Sequence, residues 1–196
     1  MTSSEPWDSG IDALELMAQQ HVQIKDMLES VRDSAGDTRE QRFYNLRLLL
    51  ALHEAGEERV VHPQVRRELP SHDDHQVAER LSEELKIKDA VLMLEKMDMD
   101  STQFESSFRA LIKQVLSHFA NEESVEWPLL RHGEDVATLR KLAEALRESE
   151  RAASPRPHPG VEGSRANARM VSFVRMVDEA RDRISGKHPE RPADLS

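Results

Sequence analysis

The chain contains no cysteine. Disulfides, thiolate nucleophiles, iron–sulfur clusters and Cys-ligated zinc are excluded together. No apolar run approaches the roughly 20 residues that a transmembrane helix requires, so no membrane partner is expected. The opening MTSSEPWDSG lacks the basic and apolar stretches of a secretory signal, and a cytoplasmic location is the expectation. Aromatic residues make up 4% of the chain and glycines number seven, a composition that suits helices better than sheet. Positive charge is also short, since 27 Lys and Arg face 37 Asp and Glu for a net charge of −10. That balance argues against nucleic acid, whose phosphates demand a basic footprint. No phosphate-binding glycine loop or hydrolase elbow is present. Histidine is plentiful, at nine. Any metal in this chain must be held by imidazole and carboxylate.

With 196 residues the expectation is one domain with an appendage. Four segments match a helical template of apolar positions three and four apart. The first carries Leu14, Met17, Ile24, Leu28 and Val31 after a Ser9-x-x-Asp12 cap, with a gap at His21. The second carries Phe43, Leu46, Leu50 and Val60 after Asp37-x-x-Glu40, with gaps at His53 and Glu57. In the third, Val77, Leu81, Ile87, Val91 and Leu94 surround Glu84. The fourth has Phe104, Phe108, Leu111, Val115 and Val125 after Thr102-x-x-Glu105, with gaps at His118 and Glu122. Four amphipathic helices with short connections predict an all-α, antiparallel four-helix bundle over about residues 10–130. Residues 131–196 form a C-terminal helical extension. It starts with helix-forming residues from Glu134 to Arg147 and continues through a Pro/Gly/Ser linker at 152–164. A further apolar stripe follows, of Met170, Phe173, Val174, Val177 and Ile184, and then a disordered end. The stripe is expected to pack on the bundle or to join two copies of the chain.

An internal repeat isolates the chemistry. His21-Val-Gln-Ile-Lys-Asp26 recurs as Glu84-Leu-Lys-Ile-Lys-Asp89. His53-x-x-x-Glu57-Glu58 followed by Pro63 recurs as His118-x-x-x-Glu122-Glu123 followed by Pro128. Two helix pairs related by a pseudo-twofold axis follow. His21, His53, Glu57, Glu84, His118 and Glu122 are the polar interruptions of the four apolar seams. Residues at i and i+4 share a helix face, so both His/Glu pairs point inward. Buried carboxylates without partners cost several kcal/mol each and repel one another. One or two metal cations remove that penalty, and zinc, manganese and iron all suit these donors. A lone seam histidine is ordinarily a hydrogen-bonded core residue; six seam-breaking residues related by a repeat are a site.

This pattern resembles the hemerythrin-like family, the HHE cation-binding domain, and the linker and last helix are similar to tails of its actinobacterial members. The resemblance covers roughly residues 10–130. It implies a non-haem centre of two iron ions, oxo- or hydroxo-bridged, with His21, His53, Glu57, His118 and Glu122 at ligand positions. Where the family usually has a third-helix histidine, this chain has Glu84, an anionic ligand that favours ferric iron and lowers the potential. Lys88 stands where the family's oxygen carriers place a second histidine, which disfavours reversible oxygen transport. The implied function is binding of, or reaction with, a small oxidant or gas (O2, H2O2 or NO), in sensing, iron handling or stress defence. The alternative is a diiron enzyme with catalase- or peroxidase-like activity. Glu58 and Glu123 are candidates for hydrogen bonding to the ligands. His62 reads as a packing residue near the bundle end, and His72, His75, His132, His158 and His188 as surface residues.

Overall fold

Asp12 starts the first helix. In the computed structural model, which describes residues 10–69, 75–151 and 178, its carboxylate accepts hydrogen bonds from the Leu14 and Glu15 amides. The Asp12 amide in turn donates to the Glu15 side chain. This reciprocal cap satisfies donors that the first turn leaves open, and it launches α1 (Ala13–Arg32). Ser9, expected within the cap motif, lies outside the described residues. The other two expected caps move by a residue or two. α2 (Gly36–Gly56) has no side-chain cap, and Asp37 sits inside its first turn, where negative charge suits the helix N-terminus. α5 (Thr102–Asn121) is capped by Ser101 instead of Thr102, the hydroxyl accepting from the Phe104 amide. Between α1 and α2 the backbone reverses through Gly36 at φ 55°, a conformation that costs glycine little.

α2 and α5 each run on through one turn of π-helix. Glu57–Val61 joins α2 to α3 (His62–Glu68), and Glu122–Glu126 joins α5 to α6 (Trp127–Gly133). The repeated prolines explain both. Pro63 and Pro128 have no N–H to give, and their rings crowd the carbonyl four residues back. The widened turn lies at that spot.

Together with α4 (His75–Leu94) these rods close an antiparallel four-helix bundle. α1 packs on α2, α4 packs on α5, α1 touches α5, and α2 touches α4. α7 (Val136–Arg151) folds back onto α1, α2 and the first π turn. Gly56 permits its close approach, since a Cβ there would meet Leu146 at 3.1 Å. No helix among the described residues is long and apolar enough to cross a membrane. The linker at 152–164 and the tail stripe, Asp178 apart, fall outside the described residues.

The apolar core is divided. One cluster holds Ile24, Leu28, Phe43, Leu46, Ile87, Val91, Phe104, Phe108 and Leu111; the other holds Leu14, Met17, Val61, Val65, Val77 and Leu130 with Leu139, Ala143 and Leu146 of α7. Along each rod the polar residues singled out above fall between the two. Phe43 is 1% exposed and meets Phe104 and Phe108 edge-on, at 5.6 and 6.1 Å. Replacing it by Ala should cost about 3–5 kcal/mol in denaturant unfolding, with no direct effect on the polar layer.

Candidate metal centre

The polar layer is built from every rod. α1 supplies His21, α2 supplies His53 and Glu54, the first π turn Glu57, α4 Glu84, α5 His118, and the second π turn Glu122. None of the seven is more than 2% exposed. Their donor atoms fall into two groups: His21, His53, Glu57 and Glu122 in one, and Glu54, Glu57, Glu84 and His118 in the other. Within each group one nitrogen or oxygen per residue lies within 4.8 Å of all the others. The structure therefore brings together all six residues that the repeat singles out, and adds Glu54.

Two carboxylates tie the groups to one another. Glu57 has Oε1 3.5 Å from His53 Nε2 and Oε2 3.9 Å from His118 Nε2. Glu122 has Oε2 3.2 Å from His21 Nε2 and Oε1 2.9 Å from His118 Nε2. Each thus offers one oxygen to each side, as a bridging carboxylate does.

The three imidazoles are aimed by their outer nitrogens. His21 Nδ1 lies 2.7 Å from Glu123, which also accepts from Lys25 at 3.1 Å. His53 Nδ1 lies 2.9 Å from the Gln20 side-chain oxygen, and Gln20 donates to Glu150 of α7 at 2.5 Å. His118 Nδ1 lies 3.2 Å from Glu83, which Arg80 and Asn121 hold in place. Because each outer partner is an acceptor, Nδ1 carries the proton and Nε2 keeps its lone pair toward the centre. Glu123 thus takes the role open to it from sequence. Glu58 does so indirectly: it pairs with the buried Lys88, which also reaches Glu84 at 3.3 Å.

At the centre the donors face one another without well-aligned hydrogen bonds. His21, His53 and His118 Nε2, and both oxygens of Glu54, Glu57 and Glu122, are buried with no hydrogen-bond partner. Each such group costs about 1–3 kcal/mol when left unsatisfied. Nine inward-facing lone-pair atoms from imidazole and carboxylate form a donor set that divalent or trivalent cations satisfy and that water-free packing does not. The residues fit a metal.

Without a cation, burial and mutual repulsion displace the titration of these groups. Burial raises the Glu54 carboxyl to about 8, with the charge of Glu84 adding to it. Burial and then the charge of Glu122 push Glu57 well above the carboxylate range. Burial lowers His53 to about 3, helped by repulsion from His21. For His118 burial is outweighed by the Glu122 carboxylate, 2.9 Å from its Nε2, and its value rises to about 9. Glu122 moves the opposite way: burial is overcome by His118 and His21, which hold it far below its ordinary value. A group whose folded value is raised favours folding only below its unfolded value. The His118 contribution is complete below 6.5 and is lost as pH rises toward 9. Glu54 acts in the same sense, because above 4.5 the unfolded chain releases a proton that the folded chain retains to about 8. His53 limits the acid side, since below 6.5 only the unfolded chain accepts its proton. Glu57, raised like Glu54, adds to the loss above 4.5, so the metal-free protein should melt highest near about pH 5 and lose several degrees by about pH 9. Metal-loaded protein should not show that alkaline fall, because binding favours the deprotonated donors. Calorimetry across pH checks both.

His62 departs from its expected role. It is 2% exposed, hydrogen-bonds Glu84 through Nε2, and has Nδ1 3.6 Å from the buried Glu126. Burial notwithstanding, Glu126 and Glu84 push it up to about 10. On an α-helix His62 would sit about 140° round from Glu57; the wider π turn swings it to about 50°. Its repeat counterpart Trp127 is carried the same way and stacks on His21 at 4.9 Å. The widened turn also turns Val125, expected in the seam, outward to 42% exposure. Glu54 was missed because it directly follows His53 and lies off the seam; its signal is the acid standing where the repeat has Phe119. His75 and His132 are exposed, as expected, though both lie on helices. His72, His158 and His188 lie outside the described residues.

No protein-family model and no curated protein sequence matches the chain. A solved structure does: a hemerythrin HHE cation-binding domain-containing protein from Mycobacterium kansasii. It superposes with a TM-score of 0.64 at 16% identity, covering 91% of this chain and 95% of that one. At such low identity the likeness concerns architecture, and the chain has the all-α hemerythrin-like fold.

Proposed function

We propose that this protein holds a pair of metal ions, iron in the first instance, and that the pair binds or reacts with a small oxidant or gas (O2, H2O2 or NO). His21, His53, Glu57 and Glu122 would hold one ion; Glu84 and His118 would hold the other, with Glu57 and Glu122 shared. The observation that carries this reading is the set of buried, unpartnered lone-pair atoms facing one another around Glu57 and Glu122, whose oxygens approach imidazoles of both groups. The fold is that of a solved cation-binding domain protein, which supports the same reading. Iron held there supplies Lewis acidity and electrons to a small ligand.

The chain's own residues set the conditions. Glu123, Gln20 and Glu83 fix the imidazole tautomers, so that three nitrogens stay available as donors. Phe119 stacks on His21 at 3.6 Å and lies edge-on to His53 at 5.3 Å, excluding water from that side. The seven donors are almost fully buried, so only a molecule of a few atoms reaches them without opening the bundle. A groove of about 590 Å3 is lined by Leu14, Ala18, Glu123, Trp127 and Arg131. Of its lining residues, Glu123 and Trp127 contact His21.

Mixing the iron-loaded, reduced protein anaerobically with O2, H2O2 or NO in turn should give a stoichiometric change in the iron spectrum with at least one of them, lost in His118→Ala. A loaded protein whose spectrum none of the three alters would overturn the proposal.

A further inference from the structure

The two halves of the site obey the repeat imperfectly, and three departures run in the same direction. His53 and His118 correspond, as do Glu57 and Glu122. His21, however, corresponds to Glu84, and Phe119 corresponds to Glu54. On the first side the repeat thus places an imidazole and an aromatic wall, and Phe119 stacks flat on His21 at an interplanar angle of 8°. On the second side the same two positions hold carboxylates, both at most 1% exposed. The next pair repeats the contrast, since Trp127 stacks on His21 while His62 hydrogen-bonds Glu84. The first group therefore offers two nitrogens and two oxygens, and the second one nitrogen and three oxygens.

From this asymmetry we propose that the two subsites select different metals, and that the second, built from Glu54, Glu57, Glu84 and His118, is a hard-cation subsite suited to manganese(II). The inference rests on the metal-binding reading above and deepens it. Glu54 is its new ligand. Both Glu54 oxygens are buried without a hydrogen-bond partner, and one lies 3.9 Å from His118 Nε2. The ammonium of Lys88 contacts Glu58 and Glu84, and neither Glu54 oxygen accepts a hydrogen bond. A carboxylate so placed is satisfied by a cation bound beside His118. Imidazole-rich sites favour zinc and the later transition metals, whereas carboxylate-rich sites discriminate less against manganese. Intrinsic affinity rises from manganese to zinc at any one site, so one equivalent of zinc should settle on the side with two imidazoles and leave the carboxylate side for manganese.

The test uses the full metal-free chain, manganese(II) and zinc(II). Free manganese is followed by electron paramagnetic resonance and bound zinc by competition with a chelator. After one equivalent of zinc, the protein should still bind one manganese ion. Glu54→Gln should weaken that manganese at least about tenfold, the range seen when even an outer partner of a metal ligand is lost. The first zinc should change by less than about threefold. His53→Gln should give the converse, with zinc weakened and manganese retained. Circular dichroism of both metal-free variants checks that they fold. Two zinc ions binding with equal affinity, or Glu54→Gln weakening both metals alike or neither, would overturn the asymmetry while leaving metal binding intact. Failure of the wild-type chain to bind either metal would overturn both readings.

Discussion

Removing metal from the loaded protein should lower its melting temperature by about 20 °C. The donor layer costs stability when metal-free, because the lone pairs of three imidazoles and of Glu54, Glu57 and Glu122 face inward without hydrogen-bond partners. An ion present at about a thousand times its dissociation constant stabilises the native state by about 4 kcal/mol, so two ions give about 8. For a chain of this size each kcal/mol moves the midpoint by about 2–4 °C. Scanning calorimetry of the loaded protein before and after chelation reads the difference directly. A shift of only a few degrees would mean that the layer is satisfied within the protein, as an ordinary hydrogen-bonded core.

Glu57→Gln should remove both ions at once. Glu57 belongs to both donor groups, with one oxygen toward His53 and the other toward His118. An amide keeps the size but supplies neither the charge nor a second anionic oxygen. Affinity for each ion should fall by more than about 100-fold, beyond the effect of losing an outer partner. The metal-free variant should melt no lower than the metal-free parent, because burial and the charge of Glu122 push the Glu57 carboxyl toward its neutral form, which an amide mimics. Opposite behaviour of the free and loaded states separates a ligand from a structural residue. As a control, Glu40→Gln, an exposed carboxylate in the first turns of α2, should retain both ions. Metal analysis by mass spectrometry gives the stoichiometry of all three proteins.

The bundle was legible in the sequence because its signals are local and repeated. Apolar residues three and four apart mark the buried face of each rod, and residues such as Leu28, Leu46, Ile87 and Leu111 are 0–1% exposed. The six seam-breaking residues were legible for the same reason: a polar side chain on a buried stripe stands out, and the repeat shows it twice. What the sequence concealed depends on departures from ideal helix geometry. An α-helical wheel places His62 off the seam and Val125 on it, and the two π turns reverse both. Glu54 escaped because adjacent residues point about 100° apart on a helix, and only the packing of α4 and α5 against α2 brings it beside His118. The role of α7 was hidden in a segment read only as helix-forming. Its Leu139, Ala143 and Leu146 complete the second apolar cluster, and Glu150 anchors the Gln20 that orients His53.

The measurement that bears most directly on the two-metal centre is a crystal structure of the iron-loaded chain with anomalous data collected at the iron absorption edge. The account predicts two anomalous peaks inside the bundle, about 3.5–4 Å apart as in other two-metal sites. One should lie beside His21 and His53 and the other beside His118, Glu84 and Glu54, with Glu57 and Glu122 between them. A single peak, a peak outside this layer, or an ordered layer with no peak at all would contradict it.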